Sequence, residues 1–104
     1  MSKTFVVEFN VKRKKRNAFE KELVRGLREL EKSPPEGSIA VLDLKDPEKQ
    51  GRYLHIVVWE TKKQWKSFMN SGRTARLGQF TSSEPKRKWY DTVVRVQDGM
   101  VRYD

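Results

Sequence analysis

The sequence predicts an α+β fold with elements in the order β-α-β-β-α-β, and three observations carry that prediction. Two segments repeat their apolar residues at the helical period, while four runs rich in β-branched and aromatic residues have the signature of strands. Turn residues stand where the period changes, at Pro34-Pro35 to Gly37 and at Pro47 to Gly51. A length of 104 residues suits one domain around a single core.

Thr4 to Val11 alternates, with Phe5, Val7, Phe9 and Val11 on one side and Val6, Glu8 and Asn10 on the other. That is the first strand. From Asn17 to Lys32, Phe19, Leu23, Leu27 and Leu30 form one stripe of an amphipathic helix. Gly26 costs this helix about 1 kcal/mol relative to Ala, which marks a close approach to the sheet. Ser33-Pro34-Pro35-Glu36-Gly37 ends it, because proline cannot donate the helical bond.

Ile39 to Leu44 is the second strand, Lys45 to Arg52 a long turn, and Tyr53 to Glu60 the third strand. Thr61 and Gln64 have the spacing of a capping box. They open a second helix from Lys62 to about Asn70, with Trp65, Phe68 and Met69 on one face. Arg73 to Phe80 adds a short helical stretch with Leu77 and Phe80 together, and Thr81 to Pro85 is a loop. The fourth strand runs from Trp89 to Val96, and Asp98-Gly99 turns the chain into a short fifth at Met100 to Tyr103.

This is the ferredoxin-like split βαβ order, with both helices over one face of an antiparallel sheet. The opposite face of a monomer ought then to be polar. Instead, Leu54, Ile56 and Val58 oppose Tyr53, His55, Val57 and Trp59, while Ala40, Leu42 and Leu44 oppose Ile39 and Val41. Leaving aliphatic side chains in water forgoes roughly 1.5–3 kcal/mol each. The expected cover is a second copy of the chain, making a homodimer.

Apolar residues make up 36% of the chain and charged residues another 36%, so the surface is heavily solvated. No apolar run reaches membrane-spanning length and no secretory leader is evident, which makes the cytoplasm the expected compartment. With no cysteine and one histidine, disulfides, thiolate sites and ordinary zinc sites are excluded. No glycine-rich phosphate loop is present. The net charge of +9 invites a polyanion, with clusters at Lys12 to Arg16 and Lys86-Arg87-Lys88. Elsewhere the signs are interspersed, and an ordinary solvated surface is the preferred reading.

Asp46-Pro47-Glu48 to Gly51-Arg52-Tyr53, then Val58-Trp59-Glu60 and the helix opening Thr61-Lys62-Lys63-Gln64-Trp65, is similar to the antibiotic-biosynthesis-monooxygenase family. The resemblance spans roughly Thr4 to Val96. It implies a ferredoxin-like protomer, a dimeric α+β barrel of two packed sheets, and an apolar pocket between sheet and helices. Some members oxygenate aromatic or quinol-type substrates without metal or flavin, and one branch binds and degrades haem. Trp59 matches a pocket-lining Trp of oxygenating members, His55 stands where they often have Asn, and Trp65 where an aromatic reaches in. Arg76 would stand in for a pocket cation. The haem-ligating histidine has no counterpart between Ala75 and Phe80, so no cofactor is expected.

A cofactor-free oxygenase needs a substrate that gives an electron-rich anion, a dry pocket and a base. His55 and Trp59 are therefore the candidate catalytic residues, with Tyr53, Trp65 and Arg76 as candidate substrate-binding residues. The competing readings are a barrel that binds a small molecule without turnover, and an RNA-recognition module of the same element order. Against the latter, Arg52 and Leu54 stand where base-stacking rings belong.

Overall fold

In the computed structural model, which describes residues 2–74 and 76–103, the first alternating run forms β1 (Lys3–Asn10). A single 3-10 turn at Arg13–Lys15 leads into α1 (Arg16–Lys32), followed by β2 (Ser38–Lys45), β3 (Arg52–Trp59) and α2 (Lys62–Met69). The strand and helix bounds all lie close to those the periodicity predicts. The strands β2, β3, β1 and β4 (Lys86–Asp91) lie side by side in that order, every neighbouring pair antiparallel. That is the ferredoxin-like α+β arrangement.

Pairing of β1 with β3 sets Phe5 against Val57, Val7 against His55, and Phe9 against Tyr53. Because side chains alternate across a sheet, those residues share the helix-facing side. Phe5, Val7, Phe9, Tyr53, Val57 and Trp59 are all buried there. Phe19, fully buried, anchors the first turns of α1 on this face, its ring 4.7 Å from Tyr53 and 5.6 Å from Phe9.

The second helix is held by its cap. The Gln64 N–H donates to Thr61 Oγ1 at 3.2 Å, and the Thr61 hydroxyl donates to the Gln64 side-chain oxygen at 3.1 Å. Gln64 thus closes the cap through the hydroxyl rather than through the Thr61 backbone. Its amide also fills the space over Gly37, where a Cβ would lie 2.1 Å from the side-chain oxygen. Gly37 has φ +84°, and its carbonyl accepts the Glu60 N–H at 2.8 Å, tying the start of β2 to the end of β3.

Two expectations need correction. The fourth strand begins at Lys86, not Trp89, and ends at Asp91, not Val96. Its partner runs out: Asp91 pairs with Lys3, the first residue of β1, and the Thr92 N–H makes one last bond to the Ser2 carbonyl. The chain then leaves the sheet, and among the described residues β5 (Val94–Gln97) pairs only with β6 (Met100–Tyr103). Asp98 (φ +52°) and Gly99 (φ +74°) form the turn between them, as the sequence signal requires. The second correction concerns Arg73 to Phe80, where the helical stretch shrinks to a 3-10 turn at Gly78–Phe80 and Ala75 lies outside the described residues.

The face away from the helices carries Val6, Leu42, Leu44, Leu54, Ile56 and Val58 across three adjacent strands. Leu42 is 54% exposed and Leu44 39%. At one edge of this surface Arg52 bridges Glu8 (2.8 Å) and Asp46 (2.9 Å), and its guanidinium holds the Glu8 carboxyl below the usual range.

Candidate functional site

Beyond Phe19, the close approach expected at Gly26 is not found, because a cavity lies between α1 and the sheet there. The stripe of α1 continues as Leu23, Leu27 and Leu30, none of them fully buried, and with Gly26 they roof this cavity of about 250 Å³. The helix-facing side of β1, β2 and β3 forms the floor. From α2, Trp65, Phe68 and Met69 close one wall. Trp65 is set edge-on to Phe5 (5.2 Å between ring centroids) and to Trp89 (5.1 Å), while Phe5 and Trp89 stack at 4.4 Å. Arg73 sits over Phe68, 5.6 Å from its ring, and donates to the Ser33 carbonyl, joining the exit of α2 to the end of α1.

One row across the floor is polar. Asp43 pairs with His55, His55 with Val7, and Val7 with Arg87, so these residues stand abreast on four strands. His55 Nδ1 and Asp43 Oδ1 are 2.6 Å apart, and the Asp43 side chain is only 10% exposed. The other Asp43 oxygen, Oδ2, is buried without a hydrogen-bond partner among the described residues. So is Nε1 of Trp59, a side chain 2% exposed. Buried polar atoms are ordinarily bonded, and an unpaired one costs about 1–3 kcal/mol. Asp43 and Trp59, which carry these two atoms, both line the cavity, an apolar and largely aromatic enclosure.

Of the residues singled out from sequence, His55, Trp59 and Trp65 line this one cavity. Tyr53 and Arg76 do not. Tyr53 packs on Phe19 and donates its hydroxyl to Glu20 Oε2 at 2.6 Å. Burial, aided by the Glu20 carboxylate, pushes its phenol up to about 12. Arg76 lies outside because the chain leaving α2 turns along the flank of α1, where Arg76 neighbours Glu22, Arg25 and Glu29. Asp43 and Arg87 are among the lining residues that escape sequence reasoning. Asp43 is identified only by the β2–β3 register, which the turn from Asp46 to Arg52 sets, its ends joined by the Asp46 N–H to Arg52 carbonyl bond. Arg87 precedes the expected start of the fourth strand. Among the described residues, no three His, Cys, Asp or Glu side chains gather as a metal site.

Comparison with known proteins places this geometry in context. The family model for antibiotic biosynthesis monooxygenase matches residues 4–77. No curated protein matches the chain. Among solved structures, a conserved protein from Methanosarcina mazei superposes with a TM-score of 0.77 at 16% identity, over 86% of this chain and 91% of that one. SnoaB, a cofactor-independent oxygenase from Streptomyces nogalater, solved as a variant, gives 0.73 at 17% identity over 88% and 92%. Rv0793 from Mycobacterium tuberculosis gives 0.77 at 9% identity over 88% and 95%. At such identities the structural likeness speaks for the fold alone. With the family model covering well over half of its length, the chain belongs to the antibiotic biosynthesis monooxygenase family.

Proposed function

We propose that the cavity binds a small aromatic, quinol-type molecule and that the protein oxygenates it with dioxygen, without metal or flavin. The observation that carries this reading is the placement of His55, Trp59 and Trp65 on one apolar cavity of about 250 Å³. Trp59 and Trp65 both line the cavity and supply aromatic surface on which a planar ring can pack. His55 accepts the ring's hydroxyl proton, giving an electron-rich anion that reduces dioxygen directly. For a quinol, one oxygen atom becomes a new ring hydroxyl and the other leaves as water, the two electrons coming from oxidation of the quinol to the quinone, so no outside reductant is needed. Water exclusion by the leucine roof protects the anion from reprotonation.

Oxygen consumption with hydroquinone or naphthohydroquinone tests the reading. Uptake that falls on substitution of His55 by Ala supports it. Binding of these quinols, seen as quenching of tryptophan fluorescence, with no oxygen uptake would leave a binding protein without turnover. The RNA-recognition alternative is disfavoured by the outer face of the central strands, where Thr4, Val6, Leu54, Ile56 and Val58 offer no ring for a base to stack on.

The same reading includes a homodimer closed through that outer face. Its support is the exposed run of Leu42, Leu44 and their neighbours, together with a β5–β6 hairpin whose Val94, Val96, Met100 and Val101 are all about half exposed or more. A two-stranded hairpin is at best marginally stable alone, so its apolar side chains need cover from outside.

A further inference from the structure

We infer that Asp43 is a positioning residue: it holds His55 with Nδ1 protonated and Nε2 free to take a proton from the ligand. This rests on the aromatic-binding reading above, but its decisive measurement does not. An ionised carboxylate can only accept, so the 2.6 Å contact to Asp43 Oδ1 requires the hydrogen to sit on Nδ1. In the neutral ring the lone pair is then on Nε2, the nitrogen with no hydrogen-bond partner among the described residues. A histidine with the opposite tautomer would present a donor to the cavity and could not act as base.

Packing alone does not account for Asp43. It lies on the edge strand β2, whose outward positions are open to water, yet it occupies a helix-facing position level with Val7 and beside Val41 and Val57. Burying a carboxylate among such neighbours costs free energy unless its hydrogen bonds are complete. Here they are not complete, because Oδ2 has no partner among the described residues. A half-satisfied pair is a poor stabilising device. Arg87 is the cation in the same row, across Val7, and its guanidinium is half exposed and 3.9 Å from Glu84, which leaves Asp43 to His55.

Because His55 is the only histidine, its imidazole gives a single pair of nitrogen-15 resonances in the whole protein. In the neutral ring these resonances should report Nδ1–H. In Asp43→Leu, which removes the acceptor and keeps an apolar volume, they should shift to Nε2–H. Naphthohydroquinone should then shift Nε2 as a hydrogen-bond acceptor in the unsubstituted protein, and in Asp43→Leu should still quench tryptophan fluorescence while Nε2 stays in its protonated, donor form. Where oxygen uptake is measurable, Asp43→Leu should lower kcat by about 10²–10⁴-fold with KM little changed, and Asp43→Glu should recover part of the loss. An Nε2–H tautomer in the unsubstituted protein overturns the inference, and so does a wild-type Nε2 response in the variant. If the variant fails to fold, the tautomer of the unsubstituted protein decides alone. Failure of every quinol to quench fluorescence sinks the ligand reading and leaves that same tautomer to decide the role of Asp43.

Discussion

Tyr53 shows how one side chain can be essential to the core while lying outside the cavity. Its ring supports Phe19 and its hydroxyl is given to Glu20, which is why burial and a nearby carboxylate both disfavour the phenolate. The folded phenol titrates near 12 against 10.0 for the free group, so the folded state holds this proton more tightly. Stability from this source is whole below pH 10 and is lost as pH rises towards 12, by about 2–3 kcal/mol in all. Tyr53→Phe should cost about 1 kcal/mol at neutral pH and flatten the alkaline decline. Denaturant melts of both proteins across that range, compared against the shared lysine titration, would check it. That Tyr53 faces the helices is legible from alternation, whereas its partner is not: Glu20 becomes a neighbour only when α1 crosses the sheet. Asp43 is hidden for the same reason, since a register is a relation between two strands and neither strand states it alone.

At the scale of elements, the strands that read clearly are those with one face buried along their length. The strand β4 is different, because Lys86, Arg87 and Lys88 open it at a sheet edge with every one of them exposed, and alternation then carries no signal. Its end is set by β1 and not by its own residues, because pairing stops where Lys3 does. The helix α2 is the opposite case. Eight residues are too few to hold a helix by propensity, so the cap and the Trp65–Phe68 face must do it. Thr61→Ala should therefore cost about 1 kcal/mol. It should also broaden the resonances of Trp65 without touching those of α1. Thermal melts and indole NMR signals test both parts.

For the whole molecule, an apolar sheet face and an apolar hairpin on a chain of net charge +9 pose one question, what covers them. Pairing of two copies predicts sedimentation at twice 12.3 kDa, and Leu42→Asp, which places a charge at the most exposed leucine of that face, should bring the particle to 12.3 kDa. A lone particle from the unsubstituted chain at micromolar concentration would end the dimer reading. The basic run from Lys12 to Arg16 lies elsewhere, at the start of α1. There Lys12, Arg13, Lys14 and Lys15 are exposed, and the helix has no acidic residue in its first turn.

Gly26 has a consequence for any attempt to engineer this protein. It sits in the interior of α1, where Ala would stabilise the helix by roughly 0.5–1 kcal/mol, and directly above the void that the leucines enclose. Heat-tolerance selection would favour filling that position, and each methyl group added there would shrink the room left for a guest. Gly26→Ala should raise the melting temperature and weaken quinol affinity together, so a hardier variant would be a poorer host.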